Sequence, residues 1–230
     1  MSSGPENSGP LSAHLRAKAE AIWRRELEHP FVLGLGDGTL PVESFVYYLK
    51  QDYVFLIEYC RVFALACAKA ADLGTMRDFA KLLSDTLGVE MALHRSYCSR
   101  FGLLPQELER TAAAPITLGY TNHLLAVAYG GALAEIIAAI LPCQWGYAEV
   151  GSALARKANP GTDPRYREWI ETYASPDFAA GVETLRGLLD QMTQGWPKTA
   201  TEPLQRHFLT SSRFEYLFWD MAYARAGWPL

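Results

Sequence analysis

An all-α fold is the reading that this sequence of 230 residues supports, on three observations. Apolar residues recur at three- and four-residue steps, almost nothing alternates as a strand would, and glycine and proline fall where helices would be punctuated. Residues 11–27 carry Leu15, Ala19, Ile22, Trp23 and Leu27 at helical spacing, with Ser12 a candidate cap. Residues 29–41 hold Gly34, Gly36 and Gly38, too many glycines for a helix, so a turn is expected. No strand precedes those glycines, which argues against a phosphate-binding loop. Residues 41–71 give a long amphipathic helix and residues 76–101 another, ended by Gly102 and Pro105. Segments 116–141, 143–157, 164–173, 177–194 and 202–226 complete the set. No repeat and no Pro/Gly/Ser-rich linker divides them, so residues 11–230 are expected to form one bundle-like domain. Residues 1–10 are polar and read as a disordered leader, neither a signal nor a transit peptide.

Composition narrows the function. A net charge of -4 without a Lys/Arg cluster offers no footprint for nucleic acid. The most apolar stretch, residues 124–141, is interrupted by Gly130, Gly131 and Glu135, so no membrane span is expected. Cys60, Cys67, Cys98 and Cys143 form no CxxC pair and no zinc spacing, which fits a reducing, cytoplasmic compartment. Cys60 and Cys67 share a helical face and read as packing residues.

The residue that stands out is Cys143, in Leu141-Pro142-Cys143-Gln144-Trp145-Gly146-Tyr147. Pro142 is expected to break an apolar helix and place Cys143 near the N-terminus of the next, where the helix dipole favours thiolate. Packing as a small hydrophobe is the ordinary alternative. In the second long helix Tyr48, Asp52, Phe55 and Tyr59 line one face, so Asp52 must meet an arginine, a backbone cap or a ligand. Glu215 shares a face with Phe218 and Trp219; apolar surroundings would raise its pKa and make it a proton donor, while solvent exposure would make it an ordinary surface glutamate. Tyr120, Tyr147 and Tyr173 add hydroxyls from three further helices, and a core hydrogen bond is expected for His94, one turn after Glu90.

Six segments in order resemble the thiaminase II family, also called TenA: His29-Pro30-Phe31, Gly36-Asp37-Gly38-Thr39-Leu40-Pro41, Tyr48-Leu49-Lys50-Gln51-Asp52, Glu90-Met91-Ala92-Leu93-His94, the Leu141 to Gly151 stretch, and Phe214-Glu215-Tyr216-Leu217-Phe218-Trp219. The resemblance implies an all-helical fold of the haem-oxygenase-like type and hydrolysis of 4-amino-5-aminomethyl-2-methylpyrimidine to the hydroxymethyl pyrimidine, with thiamine a related substrate. It implies Cys143 as nucleophile, Glu215 as acid/base, Asp52 on the amino edge of the ring, and Tyr120, Tyr147 and Tyr173 around ring and thiol. Phe55 aligns with an aromatic that stacks on the pyrimidine, where the family often has tyrosine. No metal or organic cofactor is implied, and a homotetramer is.

Two other readings compete. Glu26-Leu27-Glu28-His29 has the Glu-x-x-His spacing of a carboxylate-bridged di-metal site, but a second such motif is missing and His29 precedes Pro30 at a helix end. A non-catalytic pyrimidine-binding or regulatory protein would need Asp52 and the aromatics but not the thiol, and no basic helix-turn-helix signature accompanies it.

Overall fold

A computed structural model describes residues 9–157 and 164–229 of the chain. Residues 1–8 of the expected leader lie outside the described residues. Among those described, all regular structure is helical.

Helix α1 (Leu11–Leu27) buries Leu15, Ala19, Trp23 and Glu26. Ser12 is not its cap: Pro10 stands at that position, and the Ser12 hydroxyl instead donates to Asp190 at 2.7 Å. The glycine-rich segment expected as a turn contains a helix, α2 (Pro30–Asp37). His29 caps it by accepting the Phe31 N–H on Nδ1, Pro30 supplies a preset φ in the first turn, and Gly38 closes it at φ 82°. Its glycines serve close packing. A Cβ on Gly34 would lie 2.9 Å from the Leu40 backbone, and one on Gly36 would lie 2.8 Å from the Leu154 side chain. Start and stop signals were present in His29-Pro30 and Gly38, and burial of Phe31, Val32 and Leu35 outweighs the low propensity of glycine.

Helix α3 (Val42–Lys69) is the long helix expected. The next segment is divided: α4 (Leu73–Asp85), a π-helical turn at Thr86–Glu90, and α5 (Met91–Arg100), followed by the short α6 (Pro105–Glu109). The apolar run expected as 116–141 is also cut, into α7 (Pro115–Gly130) and α8 (Leu133–Lys157). Gly130 and Gly131 make the break, and Lys69 donates to the carbonyls of Tyr129 and Gly131 there. Helices α9 (Pro164–Tyr173), α10 (Pro176–Met192) and α11 (Lys198–Ala224) complete the chain.

The break expected at Pro142 is absent. Helix α8 runs straight through it, because Leu133 to Val150 is buried on nearly every side and an exposed turn there would cost more than the proline. Proline removes the N–H that the Ala138 carbonyl would accept, a penalty of about 3 kcal/mol in an unsupported helix. In the same turn Tyr59 of α3 donates to the Ile140 carbonyl at 3.1 Å. Helix α8 thus forms the spine, packed against α11, α10, α9 and α7, while α3 closes the bundle against α7, α4 and α11.

The tightest helix contact is at Gly151, where a Cβ would fall 2.6 Å from the Tyr173 carbonyl carbon and 2.8 Å from the Ala174 nitrogen. Both are backbone atoms, so nothing can rotate away. Gly151→Ala should therefore cost about 1–3 kcal/mol by overpacking, read as a lowered Tm. Gly187→Ala, at an exposed site in α10 with nothing within 4 Å, should raise stability by roughly 0.5–1 kcal/mol. A neutral Gly151→Ala would mean that α9 is free to slide.

Candidate active site

Cys143 lies at the centre of α8, far from any helix end, so a helix dipole does not activate it. Its thiol is pushed well above the ordinary range by burial first, and then by the nearby carboxyls Glu215, Asp52 and Glu90. A hydrogen bond with Tyr59 acts weakly the other way. The resting form is a thiol, which corrects the expectation of a thiolate.

Glu215 of α11 is 3 % exposed, not a surface glutamate. Burial raises its pKa to about 8, against the opposing effect of a bond from the Tyr120 hydroxyl to Oε1 at 2.5 Å and of the neighbouring Cys143 thiol. A carboxylic acid that keeps its proton near neutrality therefore stands beside the thiol.

Asp52 of α3 meets neither an arginine nor a backbone cap. His94 Nε2 lies 2.6 Å from Oδ2, and the Tyr48 hydroxyl donates to the same oxygen at 3.1 Å. Both bonds fall on Oδ2, leaving Oδ1 available to a ligand. His94 Nδ1 faces the Glu90 carbonyl at 2.9 Å. A carboxyl and a carbonyl thus flank the ring, an arrangement in which an imidazolium finds a partner at both nitrogens. Burial pushes the His94 pKa down, but the bond and charge of Asp52 outweigh it and the net shift is upward. The core hydrogen bond expected for His94 is present, and its partner is Asp52.

Aromatic rings fill the remaining space. Phe55 lies 5.0 Å from Tyr120 and 5.2 Å from Tyr59 between centroids, and Tyr147 lies 4.8 Å from Tyr173. Tyr48, fully buried, accepts from Trp169 Nε1 at 3.3 Å and has the Tyr147 hydroxyl at the same distance. Cys143, Glu215, Asp52, Phe55, Tyr120, Tyr147 and Tyr173 are thus drawn from five helices into one buried cluster. Two surface hollows of about 400 and 340 Å³ are lined by none of these residues. As for a di-metal site, His29 is occupied as the cap of α2, and no group of three His, Cys, Asp or Glu among the described residues is arranged to hold a metal ion.

The profile of the TENA/THI-4/PQQC family matches residues 16–225. The chain belongs to this family. An aminopyrimidine aminohydrolase of Halalkalibacterium halodurans is 45% identical over 95% of this TenA-family chain and 97% of its own length. The solved TenA homologue from P. horikoshii is 32% identical, with a TM-score of 0.88 over 95% of this chain and all of its own. A Shewanella denitrificans domain with a haem-oxygenase-like fold gives a TM-score of 0.74 at 13% identity over 93% and 92% of the two chains, a likeness of fold alone.

Three parts of the cluster were not identified from sequence as functional: His94 as the partner of Asp52, Tyr48 as a hydrogen-bond node, and Tyr59 beside the thiol. The four-residue steps from Tyr48 to Asp52 and from Glu90 to His94 were visible, but the pairing of α3 with α5 is tertiary.

Because the His94 pKa is raised on folding, its ion pair stabilises the protein fully below the unfolded value near 6.5 and that contribution is lost as pH rises through the folded value. His94→Gln should cost about 3–5 kcal/mol at pH 6, since it strands a buried carboxylate. Urea unfolding should show the gap from wild type narrowing as pH is raised. A gap that is constant with pH would mean that the ring is neutral.

Proposed function

We propose that the chain is a hydrolase of 4-amino-5-aminomethyl-2-methylpyrimidine, with thiamine a related substrate, and that Cys143 is its nucleophile. The observation that carries this is a buried thiol clustered with a buried carboxyl whose pKa is raised to about 8. Similarity to the aminopyrimidine aminohydrolase over nearly the whole chain supports the substrate class.

The neutral thiol fits this chemistry. Direct displacement at the exocyclic methylene is slow, whereas sulfur addition to the ring divides the barrier into smaller steps. As the C–S bond forms, the thiol proton passes to one oxygen of Glu215 while the other gives its proton to a ring nitrogen. No net charge appears in the apolar cluster, so no desolvation penalty opposes the step. The Tyr120 bond holds Glu215 in place for both transfers.

Electrons from the dearomatised sulfur adduct then expel the leaving group, the C–N bond electrons departing with nitrogen. Water adds at the methylene and passes a proton to the departing amine or to solvent; as the C–S bond breaks, the ring nitrogen returns its proton to one oxygen of Glu215 while the other reprotonates sulfur. Asp52, fixed by His94 and Tyr48, accepts from the amino edge of the ring through Oδ1. Phe55 offers a face for stacking on the pyrimidine, and Tyr147 and Tyr173 wall the thiol side.

Mass spectrometry of the hydroxymethyl product tests this reading. Wild type should release it from the aminomethyl pyrimidine and Cys143→Ala should lose roughly 10³-fold or more in kcat while still binding substrate. Equal turnover by Cys143→Ala would remove the thiol from the mechanism, and no turnover by wild type would leave a binding protein.

Since Glu215 must begin protonated, kcat/KM should fall as pH rises through about 8. The residual activity of Glu215→Gln should lack that limb. A wild-type profile flat to pH 9 would contradict the role of Glu215.

A further inference from the structure

The charged groups around Cys143 leave one carboxyl without a counter-ion. Asp52 is matched by the His94 imidazolium, and Glu215 keeps its proton under the Tyr120 hydroxyl. The third, Glu90, has only the Thr86 hydroxyl at 3.2 Å. It lies close enough to Cys143, Tyr59 and Tyr173 to bear on their ionisation. No lysine or arginine is buried among the described residues, so the protein offers this carboxyl no cation other than the His94 ring, already bonded to Asp52. Burial and the charge of Asp52 accordingly raise its pKa to about 7.

Its backbone is also unusual. Glu90 ends the π-helical turn Thr86–Glu90, which inserts a residue into an otherwise α-helical path and rotates α5 about its axis. Glu90 and His94, four residues apart, then share one face, with His94 reaching Asp52. Such turns recur at functional sites. Glu90 belongs to one of the segments that resemble the TenA family, yet neither the sulfur addition nor the proton transfers through Glu215 give it a role.

We propose that Glu90 binds the positively charged leaving group of the substrate: the ammonium of an aminomethyl pyrimidine, or equally the cationic ring of a thiazolium. The assignment rests on the aminopyrimidine reading. A primary ammonium is charged at neutral pH and would complete the ion pairing of the cluster. When the C–N bond breaks, its electron pair goes to nitrogen, which leaves as neutral ammonia or neutral thiazole, and the positive charge moves to the ring. Glu90 therefore holds the leaving group before cleavage and loses its grip afterwards. The hydroxymethyl product has no cation to offer it.

The test reads binding without turnover. In a Cys143→Ala background, calorimetry should give a Kd for 4-amino-5-aminomethyl-2-methylpyrimidine at least tenfold lower than for its hydroxymethyl counterpart. Adding Glu90→Gln should raise the first Kd at least tenfold and change the second less than twofold. Loss of affinity for both ligands alike, or for neither, would overturn the proposal. Should the double variant fail to fold, equal affinity of the Cys143→Ala protein for the two pyrimidines overturns it just as well. Turnover by wild type, measured separately, judges the hydrolase reading on its own.

Discussion

Carboxyl groups buried in an apolar bundle, with no lysine or arginine buried among the described residues, set the conditions for the rest of this structure. A buried carboxylate needs a cation or several donors, and failing those it keeps its proton. Asp52 takes the first course, with the His94 ring 2.6 Å from its Oδ2. Glu215 takes the second, accepting one tyrosine hydroxyl and remaining an acid. Glu26 follows Glu215, pushed well upward by burial and by its neighbour, with Oε1 left unpartnered. Two carboxyls of the same chemistry thereby acquire different surroundings within one cluster, Asp52 beside an imidazole and Glu215 beneath a tyrosine hydroxyl.

The tyrosines are what make this possible. Their rings fill apolar volume and their hydroxyls supply donors where no charged side chain would fit. Tyr48 shows both uses: its ring stacks on Trp219 at 5.5 Å, and its hydroxyl links Asp52 with Trp169. The scaffold beneath is correspondingly tight. Helix α8 carries Cys143 between Pro142, supported by Tyr59 at the neighbouring carbonyl, and Gly151, which brings α9 and its Tyr173 against the spine.

Helix periodicity made α1, α3, α9 and α10 legible to within a few residues, because each has one apolar face and a punctuated end. It failed where burial is all-round. Around Pro142 a local rule for proline met a segment with no solvent-facing side, and the segment stayed helical. In α2 the number of glycines concealed valid caps. Of the site, Cys143, Glu215 and Asp52 could be singled out as isolated chemistry on apolar faces, and their family resemblance tied them together. The protonation of each could not be read from the chain, since it depends on contacts between α3, α5, α7, α8 and α11.

The central placement of the thiol also bears on how the protein ages. Oxidation by peroxides and alkylation by electrophiles proceed through exposed thiolate. Cys143 is 9% exposed, and burial among carboxyls pushes its thiol well above the ordinary range. Under the proposed mechanism its sulfur gains nucleophilic character only when a ligand takes up the proton that Glu215 relays. The feature that at first makes Cys143 look inert thus also shields it from small oxidants.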